Sequence, residues 1–239
     1  MARYALANHV FVCLQDEHVV FLDVRQDRYF AFDAAQTGDL GRLVRGWPRL
    51  PQHDSRTLGV AEAEVAGLLA KRGLLTEDTG VGKDATPVRI DSPADEVIAE
   101  DFVGELHLSS RSVAAFMVAC LSARLTLRLT SFEKVISRAH RRRERVLARH
   151  ASAAFDRARA HRAVATFAAL RPYFFSAKDA CLFEALALLR FLAAFDIHPN
   201  WVFGVQARPF AAHCWLQQGS TVLNDTSEHV TRYSPIMVI

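Results

Sequence analysis

The apolar and polar positions change their rhythm along the chain. Between residues 9 and 33 three apolar blocks, HVFVCL, HVVFLDV and RYFAFD, are rich in β-branched and aromatic residues. The polar groups QDE and RQD separate them, so three short strands joined by turns are expected. A helix is then expected from Ala34 or Ala35, with Leu40, Leu43 and Val44 on one face, ended by Trp47, Pro48 and Pro51. The next segment carries Val60, Val65, Leu68 and Leu69 at helical spacing, and Gly73 follows as a C-terminal cap.

From Thr79 to Pro93 the pattern loses its period. TGVGKDATPVRIDSP is rich in Gly, Pro, Asp and Thr and is expected to be a linker; Asp95 to Leu108 is a candidate for a short connecting helix. Residues 110–172 return to helical spacing, until Pro172. Another helical run starts at Cys181, with Leu182, Phe183, Leu186, Leu189, Phe191, Leu192 and Phe195. The chain then switches to strands: HCWLQ after His213, a turn at Gly219, and TVLND returning to Asp225. The expected fold class is α+β. It comprises a small winged-helix-like domain at 1–84 (a three-stranded sheet plus helices), a linker at 85–105, and a helical segment leading into a second domain at 106–239.

Charge changes this picture in one place. Residues 1–105 hold 11 Lys/Arg against 18 Asp/Glu, residues 106–175 hold 14 against 3, and residues 176–239 hold 4 against 5. The basic block centres on Arg138, Arg141, Arg142, Arg143, Arg145 and Arg149. It reads as a solvated helix face, or as a docking face for an acidic partner or anionic lipid. Residues 1–84 carry 10 basic and 12 acidic side chains, a poor footprint for a phosphate backbone, so no nucleic-acid partner is expected. No uninterrupted apolar run reaches the roughly 18 residues of a membrane span, and no signal peptide is recognisable. A cytoplasmic protein is expected, with membrane association left as the lesser alternative. The cysteines at 13, 120, 181 and 214 form no C-x-x-C pair, and neither a zinc site nor a disulfide framework is suggested.

The candidate chemistry lies in Cys181, His213 and Asp225. A thiol at a helix N-terminus sees the positive end of the macrodipole, which favours the nucleophilic thiolate. A hairpin can set an imidazole beside a carboxylate, which orients the ring and leaves its other nitrogen to the thiol. Cys214, next to His213, is expected to point to the opposite face of the strand and to serve packing.

The segment from Cys181 to Asp225 resembles the transglutaminase-like cysteine protease of lasso-peptide biosynthesis, the B-protein family. The resemblance rests on C-L opening an apolar helix, F-G-V before Pro-Phe, H-x-W and a terminal L-N-D, over residues 176–239. It implies a transglutaminase- or papain-like protease domain, with Cys181 as nucleophile, His213 as base and Asp225 as orienting acid. The N-terminal part resembles the PqqD-like element that binds leader peptides, through its three-strand start, the Y-F-x-F-D strand and a closing R-G-L-L. That resemblance implies that Arg28, Tyr29, Phe30 and Phe32 on the edge strand, with Val65, Leu68 and Leu69 on the helix, hold a leader peptide by strand addition. Together they imply a leader peptidase that cuts a lasso precursor after a Thr and hands the core to an ATP-dependent, asparagine-synthetase-like cyclase. No metal or other cofactor is expected. The alternatives are a peptide-binding chaperone with an inactive triad, and an acyltransferase that passes the thioester to an amine.

Overall fold

The computed structural model describes residues 2–33, 40–48, 60–106, 108–150, 155–173 and 181–239. The chain divides into two compact units. One comprises residues 1–89, 205–211 and 234–237; the other comprises 90–204, 212–233 and 238–239.

In the first unit, β1 (Ala5–Leu6) precedes an antiparallel meander of β2 (Val10–Gln15), β3 (His18–Asp23) and β4 (Arg28–Asp33). These are the three strands expected from the apolar blocks. Buried Asp23 accepts the backbone N–H groups of Arg25 and Gln26 at 2.9 and 3.1 Å, which turns the chain from β3 into β4. β3 is central and its residues 19–23 are buried, whereas β4 is an edge. Of the helix expected from Ala34, residues 34–39 lie outside the described residues, and Leu40–Arg42 forms a single 3-10 turn. Helix α1 (Val60–Lys71) ends as expected at Gly73, whose φ is +75°. There the N–H groups of Gly73 and Leu74 close back onto the carbonyls of Ala70 and Leu69. β5 (Leu75–Thr76) then pairs with β1.

Among the described residues, the second unit contains four long helices and part of a five-stranded sheet. Its helices are α2 (Ser110–Leu129), α3 (Phe132–His150), α4 (Arg157–Leu170) and α5 (Cys181–Ala193). Ser109 caps α2 and Asp156 caps α4 by accepting the backbone N–H groups of Ser112 and Arg159. Phe116, Phe167 and Phe191 bring α2, α4 and α5 together, with ring centroids 5.1 to 6.4 Å apart. Burying one such ring stabilises the fold by about 1.5–3 kcal/mol. By length and composition alone α2 is apolar enough to cross a membrane. Its Phe116, Ala119 and Ala123 are buried within this unit.

The strands of that sheet are β6 (Asp95–Glu96), β7 (Asn200–Gln206), β8 (Ala211–Gln218), β9 (Thr221–Val222) and β10 (Ser234–Val238), in the order β10–β7–β8–β9–β6, with a one-turn α6 (Ser227–Val230) before the last strand in the chain. β6 corrects an expectation. The stretch from Asp95, expected as a connecting helix within a linker at 85–105, instead adds a strand parallel to β9 and then a 3-10 turn at Ala99–Asp101. The edge of β9 supplies the reason: the N–H groups of Ala94 and Val97 donate to the carbonyls of Ser220 and Val222, and no apolar stripe favours a helix there.

Candidate active site

Two elements build the site. Cys181 is the first residue of α5, held in place by Ala185, Leu188, Phe191 and Leu192 on the buried face of that helix. His213 stands on β8, and Asp225 follows β9 immediately before α6. The hairpin is locked in several ways. Gly219 takes a φ of +56° at the turn, a conformation that favours glycine. The Gln217 amide donates to the carbonyls of Asp91 and Gly219, both at 2.7 Å. The Asn224 side chain accepts the Leu216 N–H at 2.7 Å, which fixes the chain one residue before Asp225.

The sequence pairs these residues by folding a local hairpin, and the geometry follows. His213 Nε2 lies 2.6 Å from Asp225 Oδ2. The Cys181 thiol lies within hydrogen-bonding reach of the His213 imidazole, whose Nδ1 is the nitrogen left for it, and of the Cys214 thiol and backbone N–H. Hydrogen bonds from Cys214 and then from His213 outweigh burial and hold the Cys181 thiol down at about 4, against an ordinary 9.0. Burial alone would lower the His213 pKa. The bonds to Asp225 and Cys181 overcome it and raise the imidazole to about 9. Burial likewise opposes charge on Asp225, but His213, His229 and the Thr226 N–H hold its carboxyl below the usual range. At neutral pH the ground state is therefore a thiolate–imidazolium pair beside a carboxylate. The His213 and Asp225 side chains are only 15% and 17% exposed, so water screens the pair weakly.

Trp215 and Gly204 account for the H-x-W and F-G-V motifs. The Trp215 indole N–H donates to Gln217 Oε1 at 2.9 Å, and its ring lies nearly parallel to the His213 ring, 6.1 Å away. A Cβ on Gly204 would come within 2.7 Å of the Trp215 ring and 2.8 Å of the Tyr233 Cβ, so glycine leaves room there for the Trp215 ring.

Cys214 is buried, as its expected packing role requires, and it also meets Cys181. Alternation along a strand separates neighbouring side chains, but Cys181 approaches beside the backbone and reaches the Cys214 peptide N–H as well as both side chains. The cost falls on Cys214, whose own thiol is pushed well above its ordinary value by the bond to Cys181 and by burial. His229 also went unread in the sequence. Its Nδ1 sits 2.9 Å from Asp225 Oδ2 and 3.0 Å from Oδ1, so two imidazoles share one carboxylate. The available signal was the i, i+4 spacing of Asp225 and His229 behind Thr226, which caps α6. The Tyr233 ring completes the wall, 5.3 Å from His213 and 5.5 Å from His229. Glu96 of β6 accepts the Ser227 N–H, tying the loop after Asp225 to the sheet edge.

His213, Asp225 and His229 each offer one ligand atom within 4.8 Å of the others, a spacing that could take a divalent cation. Binding there would use the nitrogens and oxygens that otherwise pair with one another.

A family model described as the transglutaminase-like superfamily matches residues 117–238, about half of the chain, with Cys181, His213 and Asp225 all inside the match. The chain belongs to the transglutaminase-like superfamily. No curated protein and no solved structure matches it. The superfamily includes cysteine proteases and acyltransferases, and both attack a carbonyl with a thiolate. In this transglutaminase-like chain the matched span runs from within α2 to the end of β10, so most of the helical block lies inside it.

The residues expected to bind a peptide lie in the first unit. Arg28 is exposed and Tyr29 half-buried on the edge strand β4, whereas Phe30 and Phe32 pack partly onto the core. Phe32 meets the Phe21 ring edge-on at 5.8 Å. On α1 the expectation needs one correction. Leu69 is 1% exposed and belongs to the core, Val65 is half-buried against it, and Leu68 is 58% exposed. The buried face runs through Ala66, Leu69 and Ala70, so Leu69 is not free to line a groove.

Proposed function

We propose that this protein is a leader peptidase of lasso-peptide biosynthesis. The observation that carries the reading is the grouping of Cys181, at the start of α5, with His213, whose Nε2 lies 2.6 Å from Asp225 Oδ2, inside a transglutaminase-like span. In the proposed reaction the Cys181 thiolate attacks the carbonyl at the leader–core junction. The His213 imidazolium gives its proton to the departing amine, which becomes the N-terminus of the core. The acyl group stays on sulfur as a thioester. His213, now neutral, takes a proton from water, and the hydroxide equivalent displaces the thiolate and frees the leader carboxylate. Asp225 holds the imidazole in its orientation and stabilises its charged form.

The first unit serves recognition in this reading. The leader adds as a strand along β4, past Arg28 and Tyr29, with Leu68 exposed on α1. The freed core passes to an asparagine-synthetase-like cyclase in the cytoplasm, and ATP is spent by that partner.

The test uses the full chain and a synthetic precursor, with mass spectrometry of the products. Cys181→Ala should abolish cleavage and leave leader affinity, measured by titrating a labelled leader, unchanged. Turnover by Cys181→Ala would remove the mechanism. Cleavage by the wild type without leader binding to residues in β4, tested with a proline at Phe30 in a chain still folded by circular dichroism, would remove the recognition assignment alone.

A further inference from the structure

A groove of about 490 Å³ opens within the second unit between α2, α3 and α5, lined by none of Cys181, His213 or Asp225. Small side chains create it: Ala115 and Ala119 on α2, Ala139 on α3 and Ala193 on α5 leave the three helices unfilled where they face one another. Val135, Leu186 and Leu189 add apolar wall. Its size suits a small-molecule site, for which about 300–1,000 Å³ is usual.

Arginines complete the lining. Arg138 and Arg142 are exposed at the rim, and Arg143 and Arg190 lie half-buried. Arg190 Nη donates to Thr126 Oγ1 at 3.0 Å, and Arg143 to the Ile239 backbone oxygen at 2.8 Å. No carboxylate among the described residues pairs with Arg138, Arg142 or Arg190. Burial, then the like charges of Arg142 and Arg138, push Arg190 below its ordinary value. A positive cluster over an apolar floor is complementary to a ligand that brings both an anion and an apolar chain. Guanidinium groups hold a carboxylate through paired hydrogen bonds, and these strengthen where water is partly excluded.

We infer that this groove is a binding site for a single-chain anionic amphiphile of the fatty-acid class, its acyl chain between α2, α3 and α5 and its carboxylate on Arg138, Arg142 and Arg190. A neutral apolar ligand would leave the arginines unpaired, and a small inorganic anion would leave the apolar walls empty.

Calorimetric titration of the full-length protein with monomeric dodecanoate tests the site without any reference to peptide cleavage. Saturable binding of one dodecanoate per chain is expected, with dodecanol and butyrate much weaker. Arg142→Gln and Arg190→Gln should each weaken it about tenfold to a hundredfold, the loss of a charge-assisted contact. Arg142 is exposed, so its variant keeps the test usable if Arg190→Gln fails to fold. The inference is overturned if dodecanoate does not saturate, if dodecanol binds equally well, or if Arg142→Gln binds as the wild type does. It is overturned too if the protein binds anionic vesicles but not monomeric dodecanoate, which would assign the arginines to a membrane surface.

Discussion

The thiolate at Cys181 makes its strongest prediction away from neutral pH. Cys181 is held at about 4, against 9.0 for an ordinary thiol. At pH 7 an ordinary thiol is about 1% ionised and Cys181 almost fully, a gain of roughly 10² in nucleophile. A less basic thiolate is also a poorer nucleophile: with a Brønsted slope of about 0.4–0.5, a drop of this size costs roughly 10² to 10^2.5 in intrinsic rate. The two effects nearly cancel at pH 7. At pH 5 they do not. Cys181 is still about 90% ionised while the ordinary thiol has fallen to about one part in 10⁴, so Cys181 should react roughly 30- to 100-fold faster. The assay follows reaction with a small neutral disulfide from pH 3 to 10, with mass spectrometry to identify the labelled residue. Cys13 and Cys120, pushed by burial to about 12 and 11, should stay silent across the acid range. Cys214→Ala removes the largest stabiliser of the thiolate and His213→Ala the next, so both should move the midpoint upward and erase the advantage at pH 5. A Cys181 profile with its midpoint near 9 in the wild type would refute the ion pair. A midpoint unchanged in both variants would refute the assigned causes.

Asp225→Asn should lower peptidase kcat by about 10- to 10⁴-fold, bounded by the serine-protease case, because the imidazolium loses its counter-charge. His229→Gln should cost less, since Asp225 still reaches His213 at 2.6 Å; equal losses would make the two imidazoles one unit. Gly204→Ala should destabilise by about 1–3 kcal/mol in denaturant unfolding and lower activity by moving Trp215 from beside His213, and an unchanged midpoint would show that the rings can give way. Stability should also follow the pair's titration. The depressed thiol contributes fully above 9.0 and loses its contribution as pH falls to about 4. The raised imidazole contributes fully below 6.5 and loses its contribution as pH rises to about 9. The wild type should therefore gain stability over a Cys181→Ala/His213→Ala double variant between about pH 4 and 6.5 and then level off; a gain that runs on steeply to pH 9 would show that His213 is not raised.

The parts of the site that could be read from the sequence are those made by local rules. His213 and Asp225 meet because strand, glycine turn and return strand are close in the chain, and each leaves its own residue signal. The three N-terminal strands were legible for the same reason. What escaped depended on partners distant in sequence or on small residues. Cys214 was assigned by strand alternation, which says nothing of a thiol arriving from α5 beside the backbone. Asp95 and Glu96 carry no strand propensity and form β6 only because the edge of β9 offers them carbonyls. The large residues alone set the wrong phase for the stripe of α1, and buried Ala66, with Ala70 partly buried beside it, shifts the true inner face onto Leu69.

The hairpin joins base and acid twelve residues apart, but the sulfur comes from a separate helix. A chain whose hairpin has formed and whose α5 has not yet docked therefore carries a sulfhydryl of everyday acidity. Docking of that helix makes it acidic. The appearance of an acidic thiol during refolding thus marks the moment at which helix and hairpin come together.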